Sequence, residues 1–134
     1  MAAHSEDFPW PSHYGHFNFF EERMREHHKV RQLHKRGNGV YEIELKSGNA
    51  LRVFICECYS FGMAEYYEVK QNLGKVDVIV ISSAWCGYTD DVKLHSRQIR
   101  VGVFNIRDFM AALNRERLWE YLNDDEKERF KGKL

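Results

Sequence analysis

The chain has 134 residues, of which 43% are hydrophobic and 30% are charged, and its formal net charge is zero. This composition is typical of one globular domain with a real core and excludes a disordered chain. The neutral balance excludes an overall basic footprint for nucleic acid, although local basic patches stay open. No apolar run is long enough to cross a bilayer, and no secretion signal is visible. Three cysteines without a disulfide framework favour reduced thiols, so we expect a cytoplasmic protein.

The chain opens with an aromatic arm, residues 1–17, which contains both prolines and has no helical or strand period. Aromatic side chains are costly to leave in water, so we expect this irregular arm to dock on the domain or on a second chain. The next segment, NFFEERMREHHKVRQLHKR, predicts a helix. Asn18 and Glu21 have capping-box spacing at its start, and Gly37 and Gly39 stop it.

A β-hairpin is predicted over residues 40–59, with Gly48-Asn49 as a two-residue turn. In the register of such a turn, Glu42 lies diagonally across from Glu57, about 7–8 Å away at the backbone. One face of the hairpin would then carry Tyr41, Ile43, Leu45, Arg52, Phe54, Cys56 and Cys58.

The rest of the chain alternates helices and apolar strands. A helix ending at Gly74 precedes the buried strand VDVIVISS, and a short helix capped by Thr89 precedes the strand RVGVFNI. One or two helices over 107–131 close the chain. The expected architecture is therefore a single α/β domain over 1–134, with a mixed four-stranded sheet flanked by helices. The expected strand order is 40–46, 51–59, 77–83 and 101–105.

This order of elements resembles the core of the PD-(D/E)xK nucleases, and most closely the Mrr-like type IV restriction endonucleases. The segment VDVIVISSAWCGYTDDVKLHSRQIRVGVFNI is similar to the second half of that family, with Tyr88 and Thr89 in place of its Phe-Thr pair. The resemblance covers about residues 37–106 and implies a restriction-endonuclease-like sandwich.

The family's catalytic residues carry over only in part. Glu57 matches the acid of the second hairpin strand, Glu42 matches the acid of the first, and Tyr59 occupies the position of the family's lysine. In such nucleases the two acids hold Mg²⁺ and the lysine helps to polarise the attacking water. A tyrosine phenol is neutral at pH 7 and supplies no fixed positive charge. Glu65, in the first turn of the next helix, could add a third oxygen ligand.

The incomplete motif predicts a remnant site in a non-catalytic domain that binds nucleic acid or a protein partner. The resemblance alone implies a prokaryotic defence or mobile-element system. One alternative is a working metal-dependent DNA or RNA endonuclease with a displaced or missing lysine. Another is a purely structural interaction domain whose interface is the aromatic arm and the C-terminal helices, with a protein partner or a second copy as its possible ligand. We expect no cofactor, or Mg²⁺ bound weakly by Glu42 and Glu57. Glu57 could equally be a structural acid that reaches solvent or a basic side chain.

A second candidate site is the loop SSAWCGYT, at the carboxyl end of a buried strand, where ligands often bind in α/β sheets. Its possible binding residues are Ser82, Ser83, Trp85, Tyr88 and Thr89. The alternative interpretation is a helix cap with one packed aromatic ring.

Other candidates are weaker. Cys56, Cys58, Cys86 and His95 could assemble a zinc site, although buried free thiols are common core residues. The histidines of the first predicted helix could ligate a metal or simply pack. The basic segments HHKVRQLHKR and KLHSRQIR would form a phosphate-binding patch if both faced one side, and otherwise they are solvated faces.

Overall fold

The structure is a computed structural model that describes residues 8–134, so the first seven residues of the predicted arm lie outside it. It has helices on both faces of a mixed sheet. In chain order the elements are α1 (Tyr14–Glu26), β1 (Val30–Gly37), β2 (Val40–Leu45), β3 (Ala50–Cys56), β4 (Ser60–Phe61), α2 (Met63–Leu73), β5 (Val78–Ile81), β6 (Gly87–Tyr88), α3 (Asp90–Gln98), β7 (Gly102–Asn105), α4 (Ile106–Ala112), a 3₁₀ turn (Leu118–Glu120) and α5 (Asp124–Arg129).

Five strands form the main sheet in the order β1-β2-β3-β5-β7. The first three are antiparallel, and β3, β5 and β7 are parallel to one another. The predicted α/β class and the predicted order of four strands are therefore confirmed, and β1 adds a fifth strand at the edge. The short strands β4 and β6 pair separately, in parallel.

The predicted first helix is wrong beyond Glu26. The backbone of His27 is already extended, and the following residues form β1, which pairs with β2. The helix also begins earlier than predicted, because His13 rather than Asn18 occupies the N-cap position. The segment Gly37-Asn38-Gly39, interpreted as a helix stop, has positive φ at all three residues and forms the turn between β1 and β2. Asn-Gly is a strong hairpin signal, and strand pairing overrides the helical pattern.

The predicted hairpin of β2 and β3 exists, but its register is wrong. The connection is longer than two residues, because the Leu45 N–H donates to Asn49 O at 2.8 Å and the strands resume only at Ala50. Glu42 consequently pairs with Arg52 instead of Ile55. The shift is odd in residue number, so it exchanges the faces of β3 relative to β2.

Apolar side chains cover both faces of the sheet. One core lies beneath α1 and α4, and the other lies beneath α2, α3 and the arm. The first contains Phe20, Tyr41, Ile43, Val53, Ile55, Val80 and Phe109, among others. The second contains Trp10, Phe54, Cys56, Phe61, Val69, Ile79 and Val92. Every residue of β5 is buried, as its unbroken apolar sequence predicts.

The described part of the arm docks on the domain, as predicted. Trp10 is only 1% exposed, and the Phe8 ring stacks on Phe54 with centroids 5.5 Å apart. The predicted irregular arm is shorter than expected, because Tyr14 begins α1 and Phe17 is helical.

Several predicted helix ends are confirmed. Gly74 ends α2 with a positive φ of 70°, and the Thr89 hydroxyl accepts the Val92 N–H at the start of α3. The predicted C-terminal helices divide into α4, the 3₁₀ turn and α5, which Asn123 caps. None of the helices within residues 8–134 is both long and apolar enough to span a membrane.

Candidate functional site

Glu57 lies directly after β3, at the carboxyl end of the parallel strands, where the chain's own arm covers it. Its backbone N–H donates to Trp10 O at 3.0 Å. Its carboxylate accepts the His13 backbone N–H at 3.2 Å and lies 3.7 Å from His16 Nδ1. Among the described residues its ionic partner is therefore a histidine and not a lysine or arginine.

One histidine nitrogen faces two potential partners here. His16 Nδ1 is 3.5 Å from Ser82 Oγ and 3.7 Å from Glu57 Oε1, and Ser82 Oγ also lies 2.7 Å from Ser12 Oγ. A nucleophilic triad needs the acid on one ring nitrogen and the hydroxyl on the other. Because both groups approach the same nitrogen, this arrangement does not have the geometry that activates a serine.

The structure does not bring Glu42 and Glu57 together. Glu42 lies across from Arg52 on the open face of the sheet and pairs with Arg36 Nε at 2.5 Å. The five residues from Arg52 to Glu57 span about 17 Å of extended chain at ~3.3 Å per residue. Each carboxylate therefore has its own protein partner. Glu42 and Glu57 are not the diagonal neighbours that the predicted register required.

The other residues assigned to the remnant site also lie apart. Tyr59 is 66% exposed, and its carbonyl accepts the Gly87 N–H where β4 and β6 meet. Glu65 is engaged at the start of α2, where its Oε1 accepts the Gly62 N–H at 3.0 Å.

The loop SSAWCGYT holds structural contacts for most of its candidate residues. Ser83 is buried and its hydroxyl accepts the Trp85 N–H at 3.2 Å, while Thr89 caps α3. The hydroxyl of the half-buried Tyr88 donates to Glu126 Oε2, on α5, at 2.6 Å. The Trp85 side chain, 83% exposed, is the member that projects into solvent.

Sequence reasoning missed a buried lysine. Lys93 belongs to the predicted basic patch KLHSRQIR, but it is 1% exposed and donates to Val103 O at 2.7 Å. Its ammonium lies over the Phe104 ring and 3.9 Å from Glu126. Burial lowers the pKa of Lys93 to about 8, against the attraction of Glu126 and Asp108. Lys93 lies four residues after the cap Thr89, on the buried face of α3. This helical spacing from the cap could have predicted its burial from the sequence.

The three thiols are free, and two of them belong to the core. Cys56 and Cys58 are buried, Cys86 is half-buried, and burial raises the pKa of each thiol, that of Cys58 to about 12. Among residues 8–134, no three His, Cys, Asp or Glu side chains are arranged so that they could hold a metal ion.

The arginines and lysines of the first basic segment, HHKVRQLHKR, are paired with carboxylates on the protein surface, with one exception. Arg31 pairs with Glu44, Lys35 with Glu21 and Arg36 with Glu42. The exception is Lys29. It lines an open cleft together with Arg100, which belongs to the second basic segment.

This amino-edge cleft has a volume of about 600 Å³ and lies at the amino ends of β3, β5 and β7. The loop between β2 and β3 forms one wall, and residues 113–119 form the other. The basic lining residues are Lys29, Arg100 and Arg115, the acidic ones are Asp77 and Glu116, and the remaining ones include Ser47, Asn49, Leu51, Asn114, Leu118 and Trp119.

Positive charge surrounds the aromatic ring of this cleft. The guanidinium carbon of Arg100 is 5.7 Å from the centre of the Trp119 ring, and that of Arg117 is 5.5 Å away. Asp77 uses one carboxylate oxygen to accept the Arg52 N–H at 2.9 Å. Within residues 8–134, Lys29, Arg100 and Arg115 form no ion pair with a carboxylate, unlike the paired cations of β1.

The chain matches no family model, no curated protein and no solved structure.

Proposed function

We propose that this chain is a non-catalytic domain that binds nucleic acid through the amino-edge cleft. The observation that carries this proposal is the cluster of Lys29, Arg100 and Arg115, which line one cleft without carboxylate partners beside the Trp119 ring. The chain has a net charge of zero, so the proposal depends on this local concentration of cations.

The chemistry of the cleft suits a phosphate backbone. Guanidinium groups bind phosphate oxygens in a bidentate manner, and a lysine ammonium adds a point charge. Neutralised phosphates release counterions, which favours binding at low salt. Cations already held by carboxylates would have to give up those partners first. Unpaired Arg100 and Arg115 avoid this cost.

The non-catalytic part of the proposal is supported by the opposite end of the sheet. Glu42 and Glu57 do not converge, and the arm covers Glu57. Tyr59 is exposed, at the position where the nucleases that the sequence resembles have a lysine. The proposed fold is a restriction-endonuclease-like sandwich of the Mrr-like kind. Its support is the order of α1, three antiparallel strands, α2 and a parallel strand.

A salt titration of binding tests the proposal. Labelled DNA and RNA, each single- and double-stranded, are titrated with protein and followed by fluorescence anisotropy over a range of KCl concentrations. We expect affinity to fall with salt, and each of Arg100→Gln and Arg115→Gln to reduce the log–log slope by about 0.7–0.9. The charge-matched control is Lys131→Gln, which replaces an exposed lysine that does not line the cleft and should leave the slope unchanged.

Incubation of the same substrates with Mg²⁺ or Mn²⁺ separates the proposal from a working nuclease. We expect intact substrates. Cleavage by the wild type that disappears in Glu57→Gln would establish the metal-dependent nuclease instead. If no nucleic acid binds at any salt concentration, the proposal is wrong and the interaction-domain alternative takes its place.

A further inference from the structure

We infer that the amino-edge cleft holds an unpaired nucleobase against Trp119, so that the ligand is single-stranded nucleic acid. This inference rests on the proposed function and deepens it, because general phosphate binding does not distinguish a single strand from a duplex.

Trp119 is placed as a fixed stacking surface. It is half-buried, since one part of the side chain packs against the core beside Leu118 while another part lines the cleft. Its neighbours Arg100 and Arg117 lie within 6 Å of the ring centre. A ring held in this way loses little further freedom when a base stacks on it. Both guanidinium groups lie over the ring, so a base stacks there by displacing one of them, and the displaced group can then bind the phosphate of that nucleotide.

A duplex cannot use this ring. Bases in a duplex stack on one another, so their flat faces are covered and only their edges reach the grooves. An unpaired base exposes a flat face that can stack on an aromatic ring. Because Trp119 is a half-buried part of the cleft wall, we expect a single extruded base to reach its ring and a paired base to be excluded.

The remaining lining residues match the parts of a nucleotide. Lys29, Arg100 and Arg115 supply cations for phosphates. Asn49 and Asn114 each carry an amide, which can both donate and accept, and so can pair with the edge of any base. The volume of about 600 Å³ falls within the range of small-molecule sites. These features predict binding with little sequence preference.

The chain contains its own control ring. Trp85 is 83% exposed and lies after β5, at the carboxyl end of the sheet, whereas Trp119 lies at the amino end. Trp10 is buried in the core and should not respond to a ligand. A ligand that stacks in the cleft therefore affects one tryptophan out of three.

The test compares Trp119→Leu with Trp85→Leu in binding to labelled oligo-dT, oligo-U and a DNA duplex of equal length. We expect Trp119→Leu to weaken single-strand binding about 5- to 100-fold, with little effect on the duplex. Trp85→Leu should bind as the wild type does. Tryptophan fluorescence of Trp85→Phe gives a second measurement in a chain with an intact cleft, and it should be quenched by oligo-dT or oligo-U but not by the duplex.

The outcomes distinguish the two proposals. If Trp119→Leu and the wild type bind single strands equally and no quenching occurs, while Arg100→Gln still weakens binding, the base-stacking inference is wrong and the proposed function stands. If neither single strands nor duplex bind, both fail. Should Trp119→Leu not fold, as judged by circular dichroism, absence of quenching in Trp85→Phe alone overturns the inference.

Discussion

The ammonium nitrogen of Lys93 and a carboxylate oxygen of Glu126 lie 3.9 Å apart, and both side chains are almost completely buried. Lys93 belongs to α3 and Glu126 to α5, so the pair connects the C-terminal helix to α3. The Tyr88 hydroxyl donates to the same carboxylate. A buried pair of this kind is strongly destabilised when one partner is removed, because the other charge remains without compensation.

We expect Glu126→Gln to lower the free energy of unfolding by about 1–3 kcal/mol, since it leaves the Lys93 ammonium buried without its anion. Adding Lys93→Met should recover part of this loss, because no charge then remains. Urea denaturation of the wild type, both single variants and the double variant gives the coupling energy. Additive single effects would show that the two charges do not interact.

The same lysine predicts a rise of stability with pH. Its pKa is about 8 when folded and near 10.5 as a free side chain. Between these values the unfolded chain binds a proton that the folded chain has released, so the free energy of unfolding increases by up to about 1.4 kcal/mol per pH unit. The measurement is the free energy of unfolding of the wild type minus that of Lys93→Met/Glu126→Gln, from about pH 7 to 9.5. Proton uptake or release by cysteines and remote tyrosines is common to both proteins and largely cancels in this difference. A flat difference contradicts the prediction.

The aromatic arm should contribute substantially to stability. Trp10 is 1% exposed, and its ring lies 5.2 Å from that of Phe8 and 6.2 Å from that of Phe61. We expect Trp10→Ala to lower the free energy of unfolding by about 3–5 kcal/mol. The exposed Trp85→Ala is the control, with a change within about 0.5 kcal/mol. Equal effects of the two substitutions would mean that the arm is not docked in solution.

Gly39 should tolerate no side chain. A Cβ there would lie 2.4 Å from Ile55 O, and its φ is +83°. Gly37, with φ +90° and open space around a built Cβ, is the matched control, because alanine there meets only backbone strain of about 1–2 kcal/mol. We expect Gly39→Ala to destabilise by about 1–3 kcal/mol more than Gly37→Ala in thermal or urea unfolding. Similar losses of stability at both positions would contradict the close approach of the Ile55 carbonyl to Gly39.

Native thiol reactivity should be confined to Cys86. The thiolate is the reactive species, and burial raises the pKa of all three thiols, while Cys56 and Cys58 are also inaccessible. With a chromogenic thiol reagent at neutral pH we expect one slow equivalent in the native protein and three after denaturation. Cys86→Ser should remove the native equivalent. Rapid reaction of two or more thiols in the folded wild type is the contrary result.

Features that depend on neighbours in sequence were correctly predicted from the sequence alone. The Thr89 cap, the end of α2 at Gly74 and the buried strand β5 each arise from residues within one turn or one strand. The same holds for the α/β class and the strand order, which follow from the alternation of apolar strands with helices. The docking of the arm from Phe8 onward was likewise expected from its aromatic side chains.

Tertiary structure alone decided what these elements meet. The segment after Glu26 became β1 because pairing with β2 outweighs a helical pattern, and the longer loop before Ala50 set the register that separates Glu42 from Glu57. Lys93 became buried through contacts with α5, and Lys29 and Arg100 came together from segments 71 residues apart in sequence. Caps and apolar periods are local, whereas register, burial of a charge and the assembly of a cleft depend on long-range contacts that no short stretch of sequence contains.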